Sequence, residues 1–162
     1  KNIYMSELHF SYFVFLYFLN MLIKLGYIFI FDYGTCLKDF FLDYRLIGTL
    51  RVYSQHRVHR GFFQNVGLID ITSNVNFTFI LYFAKFLFAF CFFYLFFSSF
   101  LFNCGMVYIL KEKKFFNFLL INETKNLLSP EKMGFIFKTV VLRKNFVLRL
   151  FCYHSSGLII YF

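Results

Sequence analysis

Arg45, Arg51, Arg57 and Arg60, interleaved with His56 and His59, are the densest group of side chains in this sequence whose types and spacing suit a defined chemistry. Like-charged neighbours repel unless they face water or an anion, and nucleic-acid phosphate is the strongest common anion, so the group reads as an RNA-binding surface. Only Asp43 and Asp70 flank it, so it lacks the mixed signs of an ordinary solvated face. A second basic set, Lys111, Lys113 and Lys114, is broken by Glu112 and followed by Phe115 and Phe116. It suits either a loop touching RNA or the positive flank of a membrane helix. A third set is Lys138, Arg143, Lys144 and Arg149.

Other chemistries find less support. His56 and His59 stand three apart and would share a helix face, but no Cys or carboxylate lies close enough in sequence to complete a metal site. Cys36, Cys91, Cys104 and Cys152 form no C-x-x-C pair and read as buried free thiols. The acids Asp39 with Asp43, and Glu123 with Glu131, have no basic or nucleophilic partner in a recognisable spacing, and no Gly-rich phosphate loop or nucleophile elbow is present. The expectation is therefore a protein that is not an enzyme, with no catalytic residue, metal, cofactor or small-molecule substrate.

The elements that must position these charges lie in a chain with 30 Phe, no Trp and a formal net charge of +9. Lys and Arg outnumber Asp and Glu 17 to 8, which implies a polyanionic partner. A core wants mixed shapes that interdigitate, so packing does not explain this much Phe; codons rich in T or A in a biased organellar genome do. The first residues carry no Arg-rich, Ser-rich transit peptide, as expected of a protein made inside a protist mitochondrion. Lys1 stands where an initiator Met is usual, so translation starts upstream or at an unusual codon.

Two apolar runs compete for a membrane reading, Phe10 to Phe31 and Phe77 to Phe102. As a helix the second would extend about 39 Å, more than the roughly 30 Å of a bilayer core. Lys85 would cost roughly 2.5–3.5 kcal/mol at the centre, less than its many Phe and Leu return at about 0.3–0.6 each. Against this, Ile69 to Thr72 alternates apolar with polar, Ser73 to Asn76 has turn chemistry, and Phe77, Phe79, Leu81 and Phe83 fall on one face of a strand. That pattern predicts a β-hairpin, followed by a buried helix over Phe86 to Phe102.

Several short stretches stand in an order that resembles the bacterial and organellar family of ribosomal protein three of the small subunit. Ile23-Lys24-Leu25-Gly26-Tyr27 is similar to the family's opening I-R-L-G-I, and Phe40 to Leu50 to its F-L-x-x-D-Y-K-I-R-x-Y-L phrase. The predicted hairpin falls where the family's K-homology domain begins, with Ala84-Lys85 at its A-R. Ser129-Pro130-Glu131 suits the start of a helix that would end in the cluster Arg143 to Arg149, and Ser156 to Phe162 resembles the closing strand. Phe86-Leu87-Phe88-Ala89 stands where the family has Pro-Gly and then a G-x-x-G loop, which argues against single-strand clamping there.

The resemblance implies an α+β fold: a degenerate type II K-homology domain, β-hairpin plus helices, with a short C-terminal remnant. Residues 1–50 would be an N-terminal helical or extended segment, 51–128 the K-homology domain and 129–162 a terminal helix and strand. The function expected is that of a structural constituent in the head of the mitochondrial small ribosomal subunit, on ribosomes free in the matrix or associated with the membrane. Arg45, Arg51, His56, Arg57, His59, Arg60, Lys85, Lys111, Lys113 and Lys114 would bind ribosomal RNA, and Arg143, Lys144 and Arg149 would either face messenger RNA at its entry channel, in part, or lie on ribosomal RNA as one helix face. Neighbouring mitochondrial ribosomal proteins would be its other partners. The alternative is a small inner-membrane subunit of a respiratory complex, spanning at 77–102.

Overall fold

The computed structural model describes residues 5–42, 45–55, 57–59, 61, 63, 65–87, 90–112, 118–145, 151–154 and 157–160. In chain order the first half holds α1 (Ser11–Leu22), β1 (Gly26–Thr35), α2 (Leu37–Phe40), β2 (Arg51–Ser54), β3 (Arg57–His59), β4 (Asp70–Thr72), β5 (Val75–Asn76) and α3 (Phe77–Leu87). The second half holds β6 (Phe90–Phe96), α4 (Phe97–Asn103), α5 (Met106–Glu112), α6 (Phe118–Leu128), α7 (Met133–Ile136), β7 (Phe137–Lys144), β8 (Phe151–His154) and β9 (Gly157–Ile160).

The scaffold is a four-stranded mixed sheet in the order β5-β1-β7-β6. β7 is interior and paired along both sides, antiparallel to β1 from Gly26↔Lys144 to Tyr33↔Phe137 and antiparallel to β6 on the other side. Its sequence explains the position: Thr139, Val140, Val141 and Leu142 are all fully buried, β-branched or aliphatic on both faces as a doubly covered strand must be. On one face α1 and α3 pack together, and Leu16, Phe77, Ile80, Ala84, Val140 and Leu142 form the core, each large apolar side chain contributing roughly 1.5–3 kcal/mol. On the other face Phe31 meets Phe97 and Phe100 edge-on, at ring-centroid distances of 5.7 and 5.2 Å. The strands of this sheet come from all three stretches 1–50, 51–128 and 129–162.

The hairpin predicted between Ile69–Ile71 and Phe77–Phe83 does not form. β4 pairs instead with β2, and β5 runs parallel to β1 through Gly34↔Val75 and Thr35↔Asn76. Phe77 begins a helix because the Asn76 side chain accepts the Phe79 N–H at 3.3 Å, an N-cap, and because Phe77, Ile80 and Ala84 bury at helical spacing. A segment apolar at nearly every position satisfies the period of a strand and of a helix alike, so the alternation at Phe77, Phe79, Leu81 and Phe83 decided nothing. Gly34 lets β5 come alongside, since a Cβ there would meet the Phe77 ring at 2.7 Å and the Val75 carbonyl closer still.

The helix expected over Phe86 to Phe102 is likewise replaced: α3 ends at Leu87, and the aromatic run 90–96 becomes a strand on β7 before α4 starts. Among the described residues no helix is long and apolar enough to cross a membrane, so the spanning segment expected at 77–102 is not there. After Ser129 the chain makes turns and only the short α7, and Arg143 and Lys144 sit on strand β7 rather than at the end of a helix. Cys36 is half-buried with its thiol donating to the Tyr94 hydroxyl at 3.2 Å, whereas Cys104 is exposed rather than buried. The side chains of Cys91 and Cys152 lie outside the described residues.

Candidate functional site

A second, smaller sheet, β3-β2-β4, lies beyond the end of β1, and a strap at the N-terminus fastens the turn that leads into it. Met5 N–H donates to the Leu46 carbonyl at 2.9 Å, and Glu7 Oε1 accepts the N–H groups of Thr49 and Leu50 at 2.5 and 2.7 Å. Gly48 is obligatory in this turn: its φ is +74°, and a Cβ there would stand 2.5 Å from Glu7 Oε1. Thr49 Oγ1 in turn accepts the Asn74 N–H at 3.0 Å, and His9 Nε2 meets Ser73 Oγ at 3.0 Å. The strap, the turn at Arg45 to Leu50 and the loop Ser73–Asn74 are thus held as one polar frame.

This frame encloses a cleft of about 710 Å³ lined by Asp32, Tyr33, Arg45, Arg51, Tyr53, Thr72, Ser73, Asn74 and Ile136. It opens beside the last residues of β1, where β1 and β5 run parallel, the place at which open α/β sheets take their ligands. Its size falls in the range of small-molecule sites, roughly 300–1,000 Å³. Among the described residues the charged lining sets one carboxylate, Asp32, with two guanidinium groups, Arg45 and Arg51. Asp32 also accepts the neighbouring Tyr33 N–H at 2.6 Å, which steadies its carboxylate at the mouth of the strand. A hollow of about 400 Å³ continues along the small sheet past Tyr53, Gln55, Asp70 and Thr72. The cavity of about 290 Å³ between α4, α5 and α6 is lined mainly by Leu, Ile and Met and gathers no such set of polar groups.

Burial tunes the groups behind the cleft. It holds the His9 imidazole below its ordinary 6.5 against the opposing pull of Glu7, so the ring is neutral at physiological pH. Tyr12, stacked on His9 at 4.6 Å, is pushed up to about 12 by burial, with Asp32 and Glu7 adding to the shift and a backbone hydrogen bond at Asn76 opposing it. Its phenol therefore remains a donor. Glu7 Oε2 and His9 Nδ1 are buried with no hydrogen-bond partner among the described residues. Across the sheet, burial also lowers Lys138, which stands 4.3 Å from the centre of the Phe96 ring and donates to the Phe135 carbonyl.

Of the described residues among those picked from sequence, Arg45 and Arg51 meet in the cleft and the others do not. Arg57 and His59 are exposed on β3, an edge strand of the small sheet, and Lys85 and Lys111 are exposed on α3 and α5. Arg143 and Lys144 lie at the far end of the large sheet, opposite Tyr27 and Gly26, about 20 Å from Tyr33 along the strand. His56, Arg60, Lys113, Lys114 and Arg149 lie outside the described residues. Sequence reasoning missed Asp32, Tyr33, Tyr53, Glu7 and His9. One signal for Asp32 was available: a lone acid followed two residues later by Gly, closing the apolar run that ends at Phe31, marks the mouth of a buried strand.

Comparison with known proteins overturns the ribosomal reading. The model of a family described as "Putative S-adenosyl-L-methionine-dependent methyltransferase" matches residues 1–87, which include β1, the strap and most of the cleft. A crystal structure of an uncharacterized protein from Burkholderia thailandensis matches with a TM-score of 0.80 and 28% identity over 87% of this chain and 39% of that one. A second structure from the same organism, described as a "likely methyl transferase" and bound to S-adenosyl-homocysteine, matches with a TM-score of 0.77 and 28% identity, over 86% of this chain and 37% of that one. No curated protein matches. The chain thus spans about two fifths of the solved chains it resembles.

These matches correct the expected fold, which is that of the solved methyltransferase-like neighbours and not a K-homology domain. They also correct the expectations of a non-enzymatic ribosomal constituent, of ribosomal RNA as partner and of no small-molecule ligand, and they lend no support to a respiratory membrane subunit. The words that suggested the ribosomal family are short strings of Ile, Leu, Phe, Tyr, Lys and Arg, which a chain of this composition produces readily. The matched segment is more than half of the chain, which therefore belongs to the family so described, "Putative S-adenosyl-L-methionine-dependent methyltransferase".

Proposed function

We propose that the protein takes part in methyl transfer from S-adenosylmethionine, with the cleft at the end of β1 as a wall of the cofactor site. The carrying observation is that the family match over residues 1–87 contains nearly all of the polar residues that converge on this cleft. The donor set fits the cofactor. S-adenosylmethionine presents an amino-acid carboxylate and ammonium, a ribose diol and an adenine ring. Arg45 and Arg51 supply guanidinium groups for the carboxylate, Asp32 accepts from the ammonium or the diol, and Tyr33 and Tyr53 offer ring faces to the adenine. When bound, the cofactor supplies an electrophilic methyl group on a sulfonium.

The protein's own residues then bind and orient. Among the described residues Asp32 is the one acid lining the cleft, so it also sets where positive charge is tolerated beside the two arginines. The neutral His9 and the un-ionised Tyr12 add no charge of their own to the wall behind Ser73 at physiological pH. Calorimetric titration with S-adenosylhomocysteine tests the reading. Saturable binding that weakens at least about tenfold, a loss of about 1.4 kcal/mol, in both Asp32→Ala and Arg51→Ala supports it. Binding unaffected by either change would place the ligand elsewhere and refute the assignment.

A further inference from the structure

Helices α1 and α3 lie side by side on one face of the large sheet, with Phe13 and Phe83 meeting edge-on at 5.5 Å, and their outward sides form one apolar surface. On α1 the residues opposite the buried Leu16 are Val14, Phe18 and Met21, which are 52%, 61% and 61% exposed. On α3 the residues opposite the buried Ile80 and Ala84 are Tyr82 and Phe86, 57% and 68% exposed, with their rings 5.0 Å apart. Single exposed apolar residues are ordinary on a protein surface. A contiguous set on two adjoining helices marks a contact surface.

The charges around this surface have one sign. α1 carries no charged residue and α3 only the exposed Lys85. Just past the end of α1 stands the exposed Lys24, and Lys144 of β7 donates to the Asn20 carbonyl in the last turn of α1. Both helices end at this same edge of the sheet: α1 leads into β1 at Gly26 and α3 toward β6 at Phe90, and these pair with Lys144 and Arg143. No Asp or Glu occurs at positions 11–31, 77–111 or 132–162, the stretches that supply α1, α3, β6 and β7.

We propose that the outward face of α1 and α3 docks on a membrane surface bearing anionic lipid, its apolar side chains below the headgroups and Lys24 and Lys85 at their phosphates. Binding to a bilayer surface grows with the apolar area buried and with the attraction of cations to anionic headgroups, and this face supplies both. A second copy is the poorer occupant, because a two-fold contact through this face would bring the same cations together with no acid to answer them. A protein partner fits less well too, since lysine is depleted where proteins meet. The chain lies on the bilayer and does not cross it: α1 has 12 residues, about 18 Å, against a hydrocarbon core of about 30 Å. The cleft stands at the opposite end of β1, so docking leaves it open to water. The inference does not depend on the cofactor reading.

Flotation of the full 162-residue chain with lipid vesicles tests the proposal, using phosphatidylcholine alone and phosphatidylcholine mixed with phosphatidylglycerol. The expected result is at least about tenfold tighter binding to the mixed vesicles, a preference that shrinks as salt is raised. The double change Lys24→Glu, Lys85→Glu, at exposed positions, should abolish that preference. Phe18→Ser with Met21→Ser should weaken binding to the mixed vesicles at least about tenfold. Circular dichroism checks that each variant keeps its fold, and if the apolar pair disturbs it the lysine pair carries the test alone. Equal binding to the two kinds of vesicle, binding to neither, or a preference that survives the lysine changes would overturn the proposal. So would a dimer in solution that the same changes dissociate and that vesicles leave intact.

Discussion

The large sheet and the small sheet, which the chain connects through α2 with the turn before Arg51 and again through Ser73–Asn74, differ most in what they bury. In the large sheet four consecutive residues of β7 are wholly inaccessible and Phe77 closes the core above them. In the small sheet Val52 alone is buried, while Arg51, Arg57, Val58, His59, Asp70, Ile71 and Thr72 are exposed. The first region therefore holds the stability, and the second is held in place chiefly by hydrogen bonds from the strap. The cleft lies on their border, with Asp32 and Tyr33 set by the rigid sheet and Arg51 and Tyr53 by the fastened one. A border of this kind combines a fixed half with a half whose position a ligand can adjust.

The difference is broken most directly at Phe77. Phe77→Ala leaves a void among Leu16, Val140 and Tyr94 and should cost about 3–5 kcal/mol, seen as a lower midpoint in urea for the whole cooperative unit. Glu7→Ala should act on the small sheet alone. It removes the acceptor of two backbone N–H groups and should cost about 2–3 kcal/mol locally, read as faster hydrogen exchange at Thr49 and Leu50 with the amides of β7 unchanged. If Glu7→Ala instead lowered protection in β7 equally, the two regions would be one unit and the contrast would fail.

Legibility in the sequence followed polarity. The polar stretch Ser73 to Asn76 marks a break in the chain, although it reads as a hairpin turn and not as the cap of a helix, and the acid closing the run to Phe31 leaves a mark of the same kind against an apolar background. Periodicity was uninformative, since with 30 Phe the contrast between buried and exposed positions on which it depends is erased: Phe13, Phe15 and Phe18 are exposed while Phe77 is buried. The pairing of β1 with β7, more than a hundred residues away, is set by packing that no local window contains. Charge density was misleading for the site. The crowded basic stretch contributes Arg45 and Arg51 to the cleft, but Asp32, which lines it with them, and the fastening acid Glu7 are isolated in sequence and converge only through the fold.

Two smaller effects sharpen the contrast. Asn76→Ala removes the cap of α3 at the junction of the two regions and should cost about 1 kcal/mol, with Asn76→Asp restoring most of it in thermal melts. The smallest effect is the pH dependence of His9. Its folded-state pKa lies below 6.5, so the unfolded chain takes up the proton first; the stability involved is present above about 6.5 and is lost as pH falls through the lower folded value. The melting temperature should therefore drop between pH 7 and pH 5 more in the natural protein than in His9→Gln.

The central claim is that the border cleft holds the cofactor, and amide chemical-shift mapping during titration with S-adenosylhomocysteine tests it most directly. The account predicts saturable shifts at Asp32 and Tyr33 on the rigid side and at Arg51 and Tyr53 on the fastened side, with Lys85, Lys111 and Lys144 unaffected. Saturable shifts confined to residues away from the cleft, or no shift at any concentration of ligand, would contradict it.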